Sequence, residues 1–185
     1  MVLAMKIMFV GDISLGEYYP SLGHGPLTYL GKSNVFSEVQ KVFDTADLVV
    51  GNLEAAVTNC NLNYREPECL VLRGNPEHAY FLKKAGFGVL QVANNHTVQH
   101  GYEGFDETLA LLNDLDIQAV GLNKENVVCV ENGSMKIGIL AASDVPDNTY
   151  KDQQKYQRLD DVFISKVISE VPNYDHLIVM LHWGL

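Results

Sequence analysis

The sequence predicts an α/β protein built on a largely parallel sheet covered by helices. Three observations lead there. Short β-branched runs alternate with helix-patterned segments along the 185 residues. Several of these runs are apolar at consecutive positions, which buries both faces of a strand, as in a sheet sandwiched by helices. Polar residues cluster immediately after strand runs, where open α/β sheets gather their ligands.

Residues 6–10 read as a first buried strand. They are too short, and too soon interrupted by Gly11-Asp12, to be the apolar core of a secretion signal. The stretch 18–33 carries glycines and prolines and reads as a loop, followed by a helix over 35–45. Residues 48–51 read as the second strand. The polar stretch 58–68 reads as another loop, and loops of such length are often functional. Asn75-Pro76-Glu77 supplies a cap, a first-turn proline and a first-turn acid, so a helix is expected over 76–85, with Gly86 ending it. A strand over 88–93 follows. Over 103–115, Phe105, Leu109, Leu112 and Leu115 recur at helical spacing, giving that helix one apolar face. Strands are expected over 117–121, 127–131 and 136–142, the last two joined through Asn132-Gly133, a hairpin signal. A helix over 161–171 and a strand over 176–181 close the chain. No repeat or boundary divides residues 1–185, which read as part of a single domain. The end of the chain just past its last strand reads as a C-terminal truncation. An incomplete sheet would leave an open edge, at which a homo-oligomer could form.

Composition narrows the function. Hydrophobic residues make up 47% and charged residues 19%, an ordinary globular balance that excludes disorder. The formal net charge of -10 argues against nucleic acid or anionic membrane as a partner bound through a basic face. Cys60, Cys69 and Cys129 are odd in number and lack paired spacing, so neither a disulfide framework nor a zinc cluster is expected. Three reduced thiols suit a cytoplasmic location. No stretch approaches the roughly 20 apolar residues of a membrane span, so no anchor is expected.

Four polar clusters follow strand runs: Gly11-Asp12, Asn52-Leu53-Glu54, Asn94-Asn95-His96 and His182-Trp183-Gly184. Each has an ordinary alternative. Gly-Asp is a common turn, Asn52 and Glu54 suit a turn and a helix start, Asn94-Asn95 tolerates a left-handed turn, and His182 suits a satisfied core histidine. Together, at successive strand ends, they place carboxylates, amides and imidazoles in one region. That donor set suits divalent ions such as Mn²⁺, Mg²⁺, Fe²⁺ or Zn²⁺. Competing motifs are missing: Gly101 and Gly104 are not followed by the Lys-Ser/Thr of a phosphate loop, and there is no Gly-x-Ser-x-Gly elbow. His96 and His100 lack a His-Glu-x-x-His pattern and are expected to be unrelated. His24 and His78 are expected in solvent.

These motifs, in this order, with Gly101, Gly104 and Gly121-Leu122-Asn123 between them, resemble the CapA-like family of bacterial capsule and poly-γ-glutamate synthesis proteins. The resemblance covers residues 5–185. It implies a layered αββα sandwich like that of the calcineurin-like metallophosphoesterases, incomplete here at the C-terminus. It also implies a divalent-metal site, with two ions in the complete domain. By that resemblance Asp12, Glu54, Asn95 and His182 are metal ligands, Asn52 joins them near the position of the wider fold's bridging carboxylate, and His96 is the catalytic general acid. Ser14 stands where the wider fold has a second metal-binding histidine. Gln99 stands where the family usually has Asp. A later Gly-His-x-x-His motif of the family does not occur. The implied function is capsule or poly-γ-glutamate biosynthesis with a phosphoesterase-like hydrolase site for a small-molecule or cell-envelope polymer substrate. The alternatives are a non-enzymatic accessory role in the same assembly, or an inactive fragment.

Overall fold

The computed structural model describes residues 4–15, 34–60, 72–123, 127–146 and 155–184. The loop expected over 18–33, most of that over 58–68, and with them His24 and Cys69, lie outside the described residues.

The elements run β1 (Ile7–Ile13), α1 (Gln40–Phe43), β2 (Leu48–Leu53), β3 (Ala56–Val57), β4 (Arg73–Gly74), α2 (Pro76–Lys84), β5 (Phe87–Gln91), α3 (Gly101–Asp114), β6 (Gln118–Val120), β7 (Val128–Asn132), β8 (Met135–Ser143), α4 (Asp161–Glu170) and β9 (His176–His182). Strands β1-β2-β5-β6 form a parallel four-stranded sheet. Strands β7-β8-β9 form a second sheet, in which β8 runs antiparallel to β7 and parallel to β9. The short pair β3 and β4 is also parallel.

Side-chain alternation along the strands explains the layering. In β2, Val49 points to one side and Val50 to the other. Val50, with Val89 and Val120 of neighbouring strands, meets Ile137, Ile139 and Ala141 of β8 in a core between the two sheets. Val49, Leu53 and Leu90 face the opposite way, onto Ala79 and Leu82 of α2 and Phe105 and Leu112 of α3. On the far side of the second sheet, Leu140 and Ala142 lie under Phe163 of α4. The order is therefore helix, sheet, sheet, helix, the αββα sandwich expected from the resemblance. Each fully buried Val, Leu or Ile contributes about 1.5–3 kcal/mol of transfer free energy, so the layers are held mainly by these three apolar clusters.

Local chemistry sets the boundaries. The Asn75 side chain accepts from the Glu77 backbone N–H at 2.9 Å, capping α2 as the sequence implies. Gly86, at φ 94°, ends that helix in the left-handed region. The helix expected over 35–45 is instead a run of turns ending in the single turn α1. Asn34 accepts from the Phe36 N–H at 3.0 Å and tightens the chain there. Phe36 and Phe43 then pack on Phe87 at centroid distances of 5.5 and 5.6 Å. His78 is buried rather than exposed, because it lies one helical turn before Leu82 on the inner face of α2.

The start of α3 packs closely on the chain after β3. Gly104 lies against β3's neighbour Thr58: a Cβ there would sit 2.9 Å from His100 Cβ and 3.2 Å from Thr58 Cγ2. Thr108, one turn on, accepts from the Val57 N–H at 3.0 Å. His100 is thereby enclosed at 1% exposure. Burial pushes its imidazole down to about 4, the Arg73 guanidinium adds to the shift, and the Leu72 backbone opposes it.

The sign of the resulting pH effect is fixed. The unfolded chain takes up this proton near 6.5 and the folded chain only near 4. Stability from His100 is therefore intact above pH 6.5 and lost as pH falls towards 4, by on the order of 3 kcal/mol. Urea midpoints at pH 7.5 and pH 4.5 should differ more in the wild type than in His100→Asn. Equal differences in the two proteins would show that His100 does not carry the effect.

Candidate metal centre

The two sheets bring four strand ends together. Asp12 lies within β1, not in a turn after it, and is the partner of Asn52 in the β1–β2 ladder. The ladder is irregular between Phe9 and Asp12, which turns the end of β1 towards the site. Asn52 lies within β2 and Glu54 just beyond it, where the Glu54 N–H donates to the Ile13 carbonyl at 2.9 Å. Asn95 and His96 lie in the turns after β5. His182 ends β9 and pairs in register with Ser143 of β8. It therefore arrives from the second sheet, so the four tips converge across two layers and not along one sheet.

Asp12, Glu54 and His182 each present a donor atom within 4.8 Å of the others. The Glu54 Oε1 lies 3.7 Å from both His96 Nε2 and His182 Nε2. His182 Nε2 is 3.0 Å from Asn95 Oδ1, and the Asn95 amide lies 3.2 Å from His96 Nε2. The Asn52 amide donates to Asp12 Oδ1 at 2.7 Å and lies 3.3 Å from His182 Nδ1. His96 Nδ1 is 3.0 Å from Gln99 Oε1, which also accepts from the Leu72 N–H at 3.0 Å. All six residues expected at the site are thus within one hydrogen-bonded cluster. Gln99 fills the orienting place beside His96 with a neutral amide.

The electrostatics separate the two carboxylates. Burial pushes the Glu54 carboxyl up to about 8, and the hydrogen bond and charge of Asp12 push it the same way. Burial also raises Asp12, but hydrogen bonds from Asn52 and Glu54 and the nearby His182 and His96 outweigh it, leaving Asp12 below its ordinary value. One proton is in effect shared across the pair, with Asp12 the anionic member. Burial holds the His182 imidazole below its ordinary value, with Asp12 opposing that shift. Two carboxylates and a neutral imidazole in this spacing fit a divalent cation, whose charge satisfies both acids at once.

One residue has a larger part than its sequence context suggested. Asn94 is wholly buried. Among the described non-glycine residues, only Asp116 has positive φ, so Asn94 is not there to make a left-handed turn. Its side chain instead bonds to Asn52, Leu53, His96 and Thr97. The pairing of a buried amide with two chain segments leaves no periodic signal in the sequence.

Comparison with known proteins gives a consistent result. Residues 6–185 match the family described as bacterial capsule synthesis protein PGA_cap. The chain is similar to the PGA biosynthesis protein CapA of Bacillus subtilis (strain 168), 28% identical over an alignment of length 191 that covers 97% of this chain and 49% of that protein. It is also similar to the capsule biosynthesis protein CapA of Bacillus anthracis, 26% identical over an alignment of length 195 that covers 97% of this chain and 46% of that protein. The chain thus spans about half the length of the curated relatives it matches. Its fold is similar to the crystal structure of a novel phosphatase from Mycoplasma pneumoniae. That likeness has a TM-score of 0.55 and 20% identity, and covers 100% of this chain and 57% of that one.

Trp183 is the chain's one tryptophan. It is exposed and adjoins His182, so its emission should report on the site. Titration with Mn²⁺ should quench Trp183 fluorescence saturably, and calorimetry should return the same midpoint. Asp12→Asn and His182→Ala should each weaken binding at least a hundredfold, about 2.7 kcal/mol. Unchanged affinity in both variants would remove the cation from this cluster.

Proposed function

The chain belongs to the bacterial capsule synthesis protein family, and on that premise we propose that its site is the divalent-metal centre of a phosphoesterase-like hydrolase acting in capsule or poly-γ-glutamate synthesis. The observation that carries this reading is the meeting of Asp12, Glu54 and His182, with His96 at 3.7 Å from the same Glu54 oxygen. Asp12, Glu54, Asn95 and His182 would hold the ions, two of them in a complete domain, drawn from Mn²⁺, Fe²⁺, Zn²⁺ or Mg²⁺. A bound ion supplies Lewis-acid polarisation and a more acidic water.

The chain's own residues supply the rest. His96 is held at both ring nitrogens, by Gln99 on Nδ1 and beside Asn95 on Nε2. A ring fixed in this way presents Nε2 towards the carboxylates; the proton for a departing oxygen is one taken up on Nε2 in place of the Asn95 contact. The backbone N–H of His96 is itself held by Asn94 at 3.0 Å, so the imidazole is fixed from both its backbone and its ring. His182 and His96 side chains are only 14% and 13% exposed, which limits water around the reacting group. The names of the capsule and PGA relatives support a cell-envelope polymer or its precursor as the substrate. No helix of the described residues is long and apolar enough to cross a membrane.

Turnover of bis(4-nitrophenyl) phosphate and 4-nitrophenyl phosphate with Mn²⁺ tests the reading. His96→Ala should lower kcat by about a hundredfold to ten-thousandfold, while Mn²⁺ affinity stays within threefold of the wild type. Full activity in His96→Ala would take that residue out of the reaction. Tight metal binding without turnover of any phosphoester would favour an accessory role in polymer assembly instead.

A further inference from the structure

The resemblance counts Asn52 among the metal ligands, near the position of the bridging carboxylate, which would require its oxygen to face the site. We infer that Asn52 has the opposite polarity. It is a positioning residue that points its N–H₂ at Asp12 and His182, and Asn94 sets that orientation. The inference deepens the metal-centre reading and rests on it only for its effect on metal affinity.

The argument runs outward from backbone groups, whose polarity is not in question. Asn94 is 0% exposed. On one side it faces the N–H groups of His96 and Thr97, at 3.0 and 3.2 Å. Two backbone donors require an acceptor, so the Asn94 oxygen must lie on that side. On its other side Asn94 meets the Leu53 carbonyl at 2.9 Å. A carbonyl requires a donor, so the Asn94 nitrogen must lie there. Both faces agree, and the orientation of this amide is fixed by three backbone groups on two segments.

The second N–H of Asn94 reaches the Asn52 side chain at 3.0 Å. The Asn52 atom that meets it must be the oxygen. The other end of the Asn52 amide, its nitrogen, is then the atom 2.7 Å from Asp12 Oδ1 and 3.3 Å from His182 Nδ1. Turning Asn52 over would set its oxygen against the Asp12 carboxylate and its nitrogen against the Asn94 nitrogen. Two hydrogen bonds would become two repulsive contacts, one of them wholly buried.

Three consequences follow for the site. Asp12 receives a hydrogen bond from Asn52 that favours its anionic form and fixes its Oδ1. His182 Nδ1 lies beside the same N–H₂ at 3.3 Å, while its Nε2 lies 3.0 Å from Asn95 Oδ1, so the ring is held between two amides. The cation ligands are then drawn from Asp12, Glu54, His182 and Asn95, with Asn52 aligning two of them. The same Asn94 amide holds the turn that carries Asn95 and His96, so one buried side chain sets the spacing between the β2 half of the site and the β5 half.

Proton exchange of asparagine side chains tests this directly. In protein labelled with ¹⁵N-asparagine, the Asn52 N–H₂ is assigned by its loss in Asn52→Ser. In the unmodified metal-free protein its protons should exchange with water at least tenfold more slowly than those of exposed Asn113, and they should stay slow when Zn²⁺ is added. Asn94→Asp keeps an oxygen for His96 and Thr97 but removes the donors to Asn52 and Leu53. In that variant the Asn52 exchange should accelerate at least tenfold, and Zn²⁺ affinity by calorimetry should fall at least tenfold. Exchange at the Asn113 rate in the wild type would overturn the inference, whether or not Asn94→Asp folds. Loss of protection on adding Zn²⁺ would also overturn it, since it would mean that Asn52 turns its oxygen to the ion. Slow Asn52 exchange in a protein that binds no Zn²⁺ would uphold the orientation and sink the metal-centre reading instead.

Discussion

The candidate site depends on one packing constraint: the face of β8 and β9 must lie against the face of β2 and β5. Asn52 and His182 are 130 residues apart and come from different sheets. They meet only because Val50, Val89 and Val120 bury against Ile137, Ile139 and Ala141. The register adds direction. Pairing Asp12 with Asn52 in one sheet, and Ser143 with His182 in the other, brings both strand ends level at the same edge of the sandwich. Apolar contacts a few residues back along the chain thus determine a polar distance at the tip. Stability and site geometry draw on the same core, and a cavity made between the sheets would disturb both.

The site itself stores unfavourable electrostatics. Two carboxylates approach each other in a partly buried place, and Glu54 responds by holding its proton to about 8. An ordinary structural ion pair would set a base beside an acid. Here acid faces acid, and the nearby imidazole of His182 is itself held below its usual value by burial. Such an arrangement costs stability unless something of opposite charge is bound, which is why the cluster reads as a binding site and not as part of the scaffold. The Glu107 cluster on α3 shows the contrast. Glu107 accepts from Thr58, from Asn59 and from the Cys60 thiol, and the Thr58 hydrogen bond, first among these contacts, holds it below its ordinary value. That carboxylate is satisfied by its neighbours and serves to anchor the chain after β3.

Much of this was legible in the sequence because it obeys short-range rules. Asn75-Pro76 and Gly86 marked α2 by capping chemistry, and the spacing of Phe105, Leu109 and Leu112 marked α3. The strand cores followed from their apolar runs. The site residues were readable as polar breaks at strand ends. What was not legible depends on partners distant in sequence. His78 looked like a surface histidine until the inner face of α2 was known. Residues 35–39 fall in the expected helix, yet the Asn34 turn and the packing of Phe36 and Phe43 on Phe87 override it. The pair β3 and β4 has two residues in each strand, too few for any pattern. That His182 would approach from a second sheet could not be read from strand-end clusters, which predict convergence without saying across which layer.

Asn94 shows why position in a motif and role in a structure can differ. In sequence it is one of two adjacent asparagines, and the neighbour nearer the histidine draws attention as a ligand. In the fold Asn94 is the residue without solvent contact and with all four hydrogen-bonding positions used: two donors to Asn52 and Leu53, two acceptor contacts from His96 and Thr97. A buried amide so fully committed cannot reorient without losing several bonds at once. Its polarity is therefore inherited from backbone groups, and it passes that polarity to Asn52, which passes it to Asp12 and His182. The backbone of β2 and of the turn after β5 thus decides which atoms the site presents, two side chains away from where they act.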